Sequence, residues 1–238
     1  MFRTLKWFIG FWASLIMLIP KSRKTRVLEE SGDFEKRDEM VAEVVPNWAR
    51  KLIELSGSEV EVVGEENLPK DETVLFVSNH QGNFDIPLLL GYIDKPKAFM
   101  AKKEMEKMPM VSTWMKYMQC VFMDRDNPRE SLKAIKQGSE KLKEGYSMVI
   151  FPEGTRSEDG QLKDFKQGAF KLATKSKVPI VPVTISGSNR IMEKGSIKIN
   201  PAKVKLVIAE PVYMTEEYEK DTKLLSEKIK SVIEGNLS

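Results

Sequence analysis

A chain of 238 residues with 31% charged and 41% hydrophobic side chains suits one domain plus an appendage and argues against global disorder. A net charge of +3 is too small for a broadly basic nucleic-acid binder, so no nucleic-acid partner is expected. One cysteine allows no internal disulfide and fits a reducing compartment; with a single histidine beside it, a zinc site is hard to assemble, and no metal is expected.

From the N-terminus, Leu5 to Ile19 is apolar apart from Lys6 and carries Trp7, Phe8, Phe11 and Trp12. Arg3 and Lys6 precede most of it; Lys21, Arg23, Lys24 and Arg26 follow Pro20. The run is shorter than the roughly 20 apolar residues a transmembrane helix needs, and no small-residue cleavage site follows it. The pattern predicts a helix lying in one leaflet, aromatics at headgroup depth and basic residues on the phosphates. A full span and a cleaved signal are its rivals. Asp33 to Ser56 has helical spacing, with Asp33 as cap, Pro46 as a kink or break and Gly57 as stop. Residues 1–57 are thus expected to form a two-helix, membrane-associated arm, and residues 58–238 an α/β domain.

In that domain, Val60 to Gly64 alternates as a strand does. The apolar run Thr73 to Ser78 reads as a buried strand, and Ile86 to Gly91 as the first turns of a helix. His80 then sits where a strand ends and a loop enters a helix, a place where α/β sheets collect ligands. Asp85 lies five residues on, and a turn at Gly82-Asn83 would have to fold the chain back to join the two. Two readings stand on these residues: a base with an orienting carboxylate, or a turn cap and a helix cap. Ala98 to Ala101 is a short strand leading into Lys102 and Lys103. Met105 to Met118 carries a methionine-rich face, interrupted by Pro109, that suits adaptable core or an apolar channel. Cys120 to Met123 is a strand with a buried thiol, and Asp124-Arg125 follows. A basic amphipathic helix runs from Pro128 to near Gly145. Ser147 to Phe151 is a strand that ends in Pro152-Glu153-Gly154-Thr155-Arg156. A helix over Phe165–Lys177, strands over Ile180–Ile185 and Val204–Ala209, and a helix over Asp221–Glu234 complete the chain. The alternation argues an α/β fold, a mixed sheet flanked by helices. Three polar segments, around His80, Lys102 to Arg125 and Glu153 to Arg156, follow strands and meet at one edge if those strands run the same way. No G-x-x-x-x-G-K-[ST] loop for nucleotide phosphates is present.

Asn79-His80 through Asp85 matches an H-x-x-x-x-D motif, Phe151 to Ser157 reads F-P-E-G-T-R-S, and Val178 to Val183 reads V-P-I-V-P-V. Together these resemble the glycerolipid acyltransferase family, above all its bacterial 1-acyl-sn-glycerol-3-phosphate acyltransferases, from about Val60 to about Pro211. The resemblance implies transfer of a fatty acyl group from a thioester to the sn-2 hydroxyl of lysophosphatidic acid, giving phosphatidic acid. It implies no cofactor, a donor carried by acyl carrier protein or coenzyme A, membrane lipids as partners, and a place on the cytoplasmic face of the cell membrane. His80 would be the general base and Asp85 its orienting carboxylate. Arg156, Arg125, Lys102 and Lys103 would bind the substrate phosphate. Glu153 would anchor an arginine or a glycerol hydroxyl, and Thr155 would cap the turn or donate to phosphate. Backbone amides near Gly154 or Gly82 would face the oxyanion. Lys133, Lys136, Lys141 and Lys143 would suit an anionic donor, although a lysine face on a helix is most often just solvated. One departure is visible: where the family's second block reads G-x-x-F-x-x-R, Phe122 and Arg125 hold but Gln119 stands at the glycine position. Alternatives are another lysophospholipid or glycerol 3-phosphate as acceptor, a phosphate-ester hydrolase, and a scaffold that only binds anionic lipid.

Overall fold

The computed structural model describes residues 2–157 and 161–237. Its sheet is built from β1 (Glu59–Val63), β2 (Leu75–Ser78), β3 (Ala98–Lys102), β4 (Val121–Met123), β5 (Met148–Ile150), β6 (Ile180–Ser186) and β7 (Lys203–Ile208), seven strands in the order β1-β7-β6-β2-β5-β3-β4. All neighbours are parallel except β6 and β7, which run antiparallel, so the sheet is mixed as the alternation predicts. β2 and β5 are buried at every residue, which is why they read as unbroken apolar runs. Because β2, β3, β4 and β5 run the same way, the polar segments that follow β2, β4 and β5 do emerge on one edge.

The helices are α1 (Phe2–Met17), α2 (Ile19–Glu30), α3 (Phe34–Ser56), α4 (Asp85–Tyr92), α5 (Val111–Tyr117), α6 (Pro128–Lys143), α7 (Lys171–Ser176), α8 (Glu216–Lys220) and α9 (Thr222–Gly235). The N-terminal arm has three helices where two were expected. Pro20 falls at the start of α2, where a missing N–H does no harm, so it opens a helix instead of ending one. Pro46 likewise sits inside an unbroken α3, whose packing outweighs one lost backbone bond. Asp33 and Gly57 cap and stop α3 as expected: the Asp33 carboxylate accepts from Lys36 N–H, and Gly57 has φ +78°. The methionine-rich segment splits into a turn over Lys103–Lys107 and the short α5. The break is a three-residue turn at Met110, φ +62°, in which Val111 N–H donates to Pro109 C=O over 2.7 Å. The Phe165–Lys177 helix is shorter than expected, a tight turn over Gln167–Phe170 leading into α7. α8 went unread in the sequence.

The arm is packed into the domain. Trp7 is buried, donates from Nε1 to Leu52 C=O over 2.9 Å and lies against Phe84 with ring centroids 5.2 Å apart. Its ring therefore packs on protein and is not free to meet lipid headgroups. Trp48 Nε1 donates to Ser14 Oγ at 2.9 Å. Buried Arg37 reaches Glu29, Asp38 and the Tyr146 hydroxyl, tying α2 and α3 to the loop after α6. At Gly91 on α4 a side chain would begin 3.0 Å from the backbone nitrogen of Arg50, so a glycine permits the close approach of α3. The far end of α4 is closed by Lys97, whose amine donates to Leu89 and Ile93 C=O and is pushed down to about 7 by burial.

The outward side of α1 carries exposed Phe2, Leu5, Ile9, Trp12 and Ile16, spaced three and four residues apart on one stripe. Among the described residues no single helix is long and apolar enough to cross a membrane. α1 and α2 pass that test only as a pair, bent by 42°.

Candidate active site

The loop between β2 and α4 folds back as Gly82-Asn83 requires, with Asp85 N–H donating to Gly82 C=O at 3.3 Å. That turn brings Asp85 Oδ2 to 2.6 Å from His80 Nδ1. The same oxygen accepts from Gln81 N–H at 2.7 Å and Gly82 N–H at 2.8 Å, and Ser188 Oγ donates to Oδ1. Asp85 is fully buried, while 15% of the His80 side chain is exposed. Four donors surround the buried carboxylate, the arrangement a buried charge needs. Asp85 lies in the first turn of α4, but its carboxylate serves the preceding loop and the imidazole, not the helix end.

His80 is fixed through its ring and through its backbone. Its ring stacks on Phe151 with centroids 4.1 Å apart at 16°. His80 N–H donates to Glu153 Oε1 at 2.7 Å, and His80 C=O accepts from Ser157 N–H at 2.8 Å. The neighbouring Asn79 bridges the sheet, giving an N–H to Ile185 C=O and receiving one from Ile185 N–H, both at 2.8 Å. The histidine loop after β2 is thereby bolted to the loop after β5 and to β6.

Glu153 departs from expectation. Instead of an arginine or an open face, it holds two backbone amides, His80 N–H on one oxygen and Lys163 N–H on the other at 3.0 Å. Burial raises its carboxyl above the ordinary range, partly offset by those two amides. Of the amides near Gly154 and Gly82, those of the two glycines themselves are occupied: Gly154 N–H donates to Phe151 C=O and Gly82 N–H to Asp85. Gly154, at φ +74°, closes the turn that exposes Thr155 and leaves Arg156 half-buried.

The cations divide into two sets. Arg156 is half-buried beside the histidine loop and donates from Nη1 to Asn83 Oδ1 at 2.8 Å. Arg125 donates to Gly154 C=O, and its Nε is buried with no hydrogen-bond partner among the described residues. Burial lowers its guanidinium from the ordinary value. These two are brought to the Glu153–Arg156 turn. Lys102 and Lys103 are exposed and paired with Glu104 at 2.9 Å and Asp124 at 3.4 Å. Two lysines that the sequence reading passed over lie closer. Lys163 Nζ is 3.0 Å from Arg156 C=O and 3.4 Å from Thr155 Oγ1, and the Lys166 side chain lies against Gly154. Their only signal was position, just downstream of the F-P-E-G-T-R-S block. Ser188, which reaches Asp85 from the far end of β6, gave none.

Three further placements bear on the chemistry. Cys120 is buried, its thiol pushed up to about 12, so it stays protonated. On α6, Lys133, Lys136 and Lys141 are paired with Glu130, Glu140 and Glu144 of the same element or its end. Among the described residues no group of three or more His, Cys, Asp or Glu side chains is placed to hold a metal ion.

A family profile described as Acyltransferase matches residues 59–186. The chain is 40% identical over 155 residues to the chloroplastic 1-acyl-sn-glycerol-3-phosphate acyltransferase of Brassica napus, over 64% of this chain and 45% of that one. It is 38% identical over 140 residues to the 1-acyl-sn-glycerol-3-phosphate acyltransferase of Saccharomyces cerevisiae, over 57% of this chain and 46% of that one. The matched parts thus span a little under half the length of these relatives. The crystal structure of the 1-acyl-sn-glycerophosphate acyltransferase from Thermotoga maritima superposes with a TM-score of 0.78 at 32% identity, covering 100% of this chain and 98% of that one.

Proposed function

The chain belongs to the acyltransferase family, and on that premise we propose that it transfers a fatty acyl group from a thioester to the sn-2 hydroxyl of 1-acyl-glycerol-3-phosphate, making phosphatidic acid. The observation that carries the reading is the 2.6 Å contact between His80 Nδ1 and Asp85 Oδ2 at the edge where the polar loops meet. An alcohol is a weak nucleophile at neutral pH and needs a base at hydrogen-bond distance. With Nδ1–H given to Asp85, the neutral ring offers Nε2 to the hydroxyl proton. As the hydroxyl oxygen bonds to the thioester carbon, Nε2 takes that proton, and the buried carboxylate stabilises the imidazolium. The tetrahedral intermediate then breaks its carbon–sulfur bond, and the thiolate leaves with the proton from Nε2. The acceptor supplies the nucleophile, so no acyl-enzyme forms.

In this reading Arg156 and Arg125 grip the phosphate, joined by Lys163 and Lys166 beside the same turn. Arg suits phosphate through its planar fork, and lysine through its point charge. Lys102 and Lys103 steer from the rim, since their exposed ion pairs exchange readily. The donor is an acyl thioester of coenzyme A or acyl carrier protein. Residues 1–57 dock the enzyme on one leaflet through the exposed stripe of α1, with Arg3, Lys6, Lys21 and Arg23 near the lipid phosphates, while residues 58–238 carry out the transfer.

The test is one panel of donors crossed with one panel of acceptors, on the purified full chain in detergent. Acyl transfer to lysophosphatidic acid is expected. Release of inorganic phosphate without any thioester would replace this reading with a hydrolase. For docking, Ile9→Asp with Ile16→Asp is expected to abolish flotation with anionic vesicles while the detergent assay persists. Unchanged flotation would refute the arm's role.

A further inference from the structure

Beyond α1, Ile197 is the most exposed large apolar side chain among the described residues. Ile197 is 74% exposed at the tip of the loop between β6 and β7. The loop from Ile191 to Asn200 has the build of a compact Ω-loop. Asn200 N–H closes its base on Ile191 C=O at 3.0 Å, and Ile191 and Ile199 are buried. Its tip is held as well: Ser196 N–H donates to Glu193 C=O and Lys198 N–H to Ser196 Oγ, each at 3.0 Å, around Gly195 at φ +80°. A β-branched apolar side chain at the tip of such a turn serves neither the turn nor the core. The loop is joined to the arm, because Ile199 N–H donates to Thr4 Oγ1 at 3.1 Å, and Thr4 lies between exposed Phe2 and Leu5. The loop carries Lys194 and Lys198 against Glu193, and on α1 Arg3 and Lys6 line one groove with Glu54.

We infer that the Ile191–Asn200 loop is a second lipid-contacting element, which inserts Ile197 into the surface of an anionic bilayer beside the first turn of α1. This rests on the peripheral docking of α1 proposed above and extends it to the catalytic domain. Lysines around a short apolar tip match a negatively charged leaflet, the lysines on the headgroups and the isoleucine below them. On its inner side the loop meets the site. Asn83 Nδ2 lies 3.5 Å from Met192 Sδ, and the same Asn83 receives Arg156. Docking at this loop sets the phosphate-binding side of the site at the headgroup layer, where the lysolipid acceptor resides.

The experiment uses the full chain carrying Ile197→Cys or, as a reference on the arm, Trp12→Cys, each labelled with a nitrobenzoxadiazole probe. The buried Cys120, with its thiol pushed up to about 12, leaves the new cysteine as the reactive one. With vesicles of phosphatidylcholine and phosphatidylglycerol, both probes are expected to shift to the blue and to be quenched by lipid-borne nitroxides. Insertion at position 12 with position 197 still in water overturns the loop assignment and leaves the arm standing. Insertion at 197 alone overturns the arm's role and keeps the loop's. Water around both overturns both. Ile197→Asp gives the energetic counterpart: vesicle affinity is expected to fall roughly tenfold, with turnover of detergent-dispersed substrate unchanged. Unaltered affinity in that variant would also overturn the assignment.

Discussion

The proposed base side and the proposed phosphate side of this site are held in opposite ways. Asp85 is fully buried with both oxygens engaged, and His80 is stacked, hydrogen-bonded through its backbone and aimed by that carboxylate. Arg156, by contrast, is half-buried and holds a side-chain amide oxygen, Arg125 holds a backbone carbonyl with its Nε buried, and exposed Lys102 and Lys103 pair with Glu104 and half-buried Asp124. The difference follows from when each charge appears. In the proposed reaction the imidazolium forms only during transfer, so its counter-charge must stand in place beforehand. The phosphate of the proposed acceptor would arrive already charged, and it could displace weak partners from the exposed cations as it binds.

The largest effect should come from the base side. His80→Ala is expected to lower kcat about 10³-fold, within the usual range for a lost general base, with the circular dichroism spectrum unchanged. Retention of more than a tenth of the activity would move the base elsewhere. On the other side, Arg156→Ala should raise the acceptor KM by roughly 10- to 100-fold, the range for a lost hydrogen bond to a charged group, with kcat nearly kept. An acceptor without the phosphate sharpens the contrast, since wild type and variant should then perform alike. Should Arg156→Ala lower kcat and leave KM untouched, the two sides are not separate in function.

A third test works through Asp85 without touching the substrate. Ser188→Ala removes one of the donors to that buried carboxylate and should lower kcat about tenfold with acceptor KM unchanged. A purely structural role would instead show as a lower melting temperature with normal kcat.

The two sides also differed in how far they could be read. The His80–Asp85 pair spans five residues and its closing turn is spelled out by Gly82-Asn83, so local chemistry allowed it beside a reading as two caps, and the motif resemblance singled it out. Arg125 and Arg156 were reached through motif resemblance, not periodicity. Ser188, Lys163 and the Asn79 bridge to Ile185 were out of reach, because each meets its partner only after the sheet has set its strand order. The sequence separation of Ser188 from Asp85 is 103 residues, and no pattern of one-chain spacing encodes that encounter. Glu153 was misread for the same reason: an acidic residue among arginines suggests an ion pair, but its partners are backbone amides that carry no sequence signal. The arm failed differently. Pro46 was weighed as a breaker, but packing of α3 on α4 decided the outcome, and the helix that starts at Ile19 was not foreseen.

The smallest expected effect lies on the phosphate side, at the one visible departure from the family's pattern. Gln119 has φ +62°, the left-handed region where glycine is at ease and a residue with a Cβ is strained by about 1–2 kcal/mol. It stands directly before Cys120 and β4, the strand that leads to Arg125. Its backbone shape thus matches what a glycine would adopt, and only the side chain differs. The Gln119 side-chain amide donates to Lys116 C=O at 3.4 Å, a long bond that offsets little of the strain. Gln119→Gly relieves that strain but gives the unfolded chain more freedom, so the net gain should be about 0.5–1 kcal/mol in denaturant unfolding. If the phosphate side tolerates loose support, acceptor KM should stay within about twofold, since a local hydrogen bond of this kind contributes little. A larger change in KM would mean that the backbone before β4 helps to place Arg125, and that this side is built to closer tolerance than its exposed cations suggest.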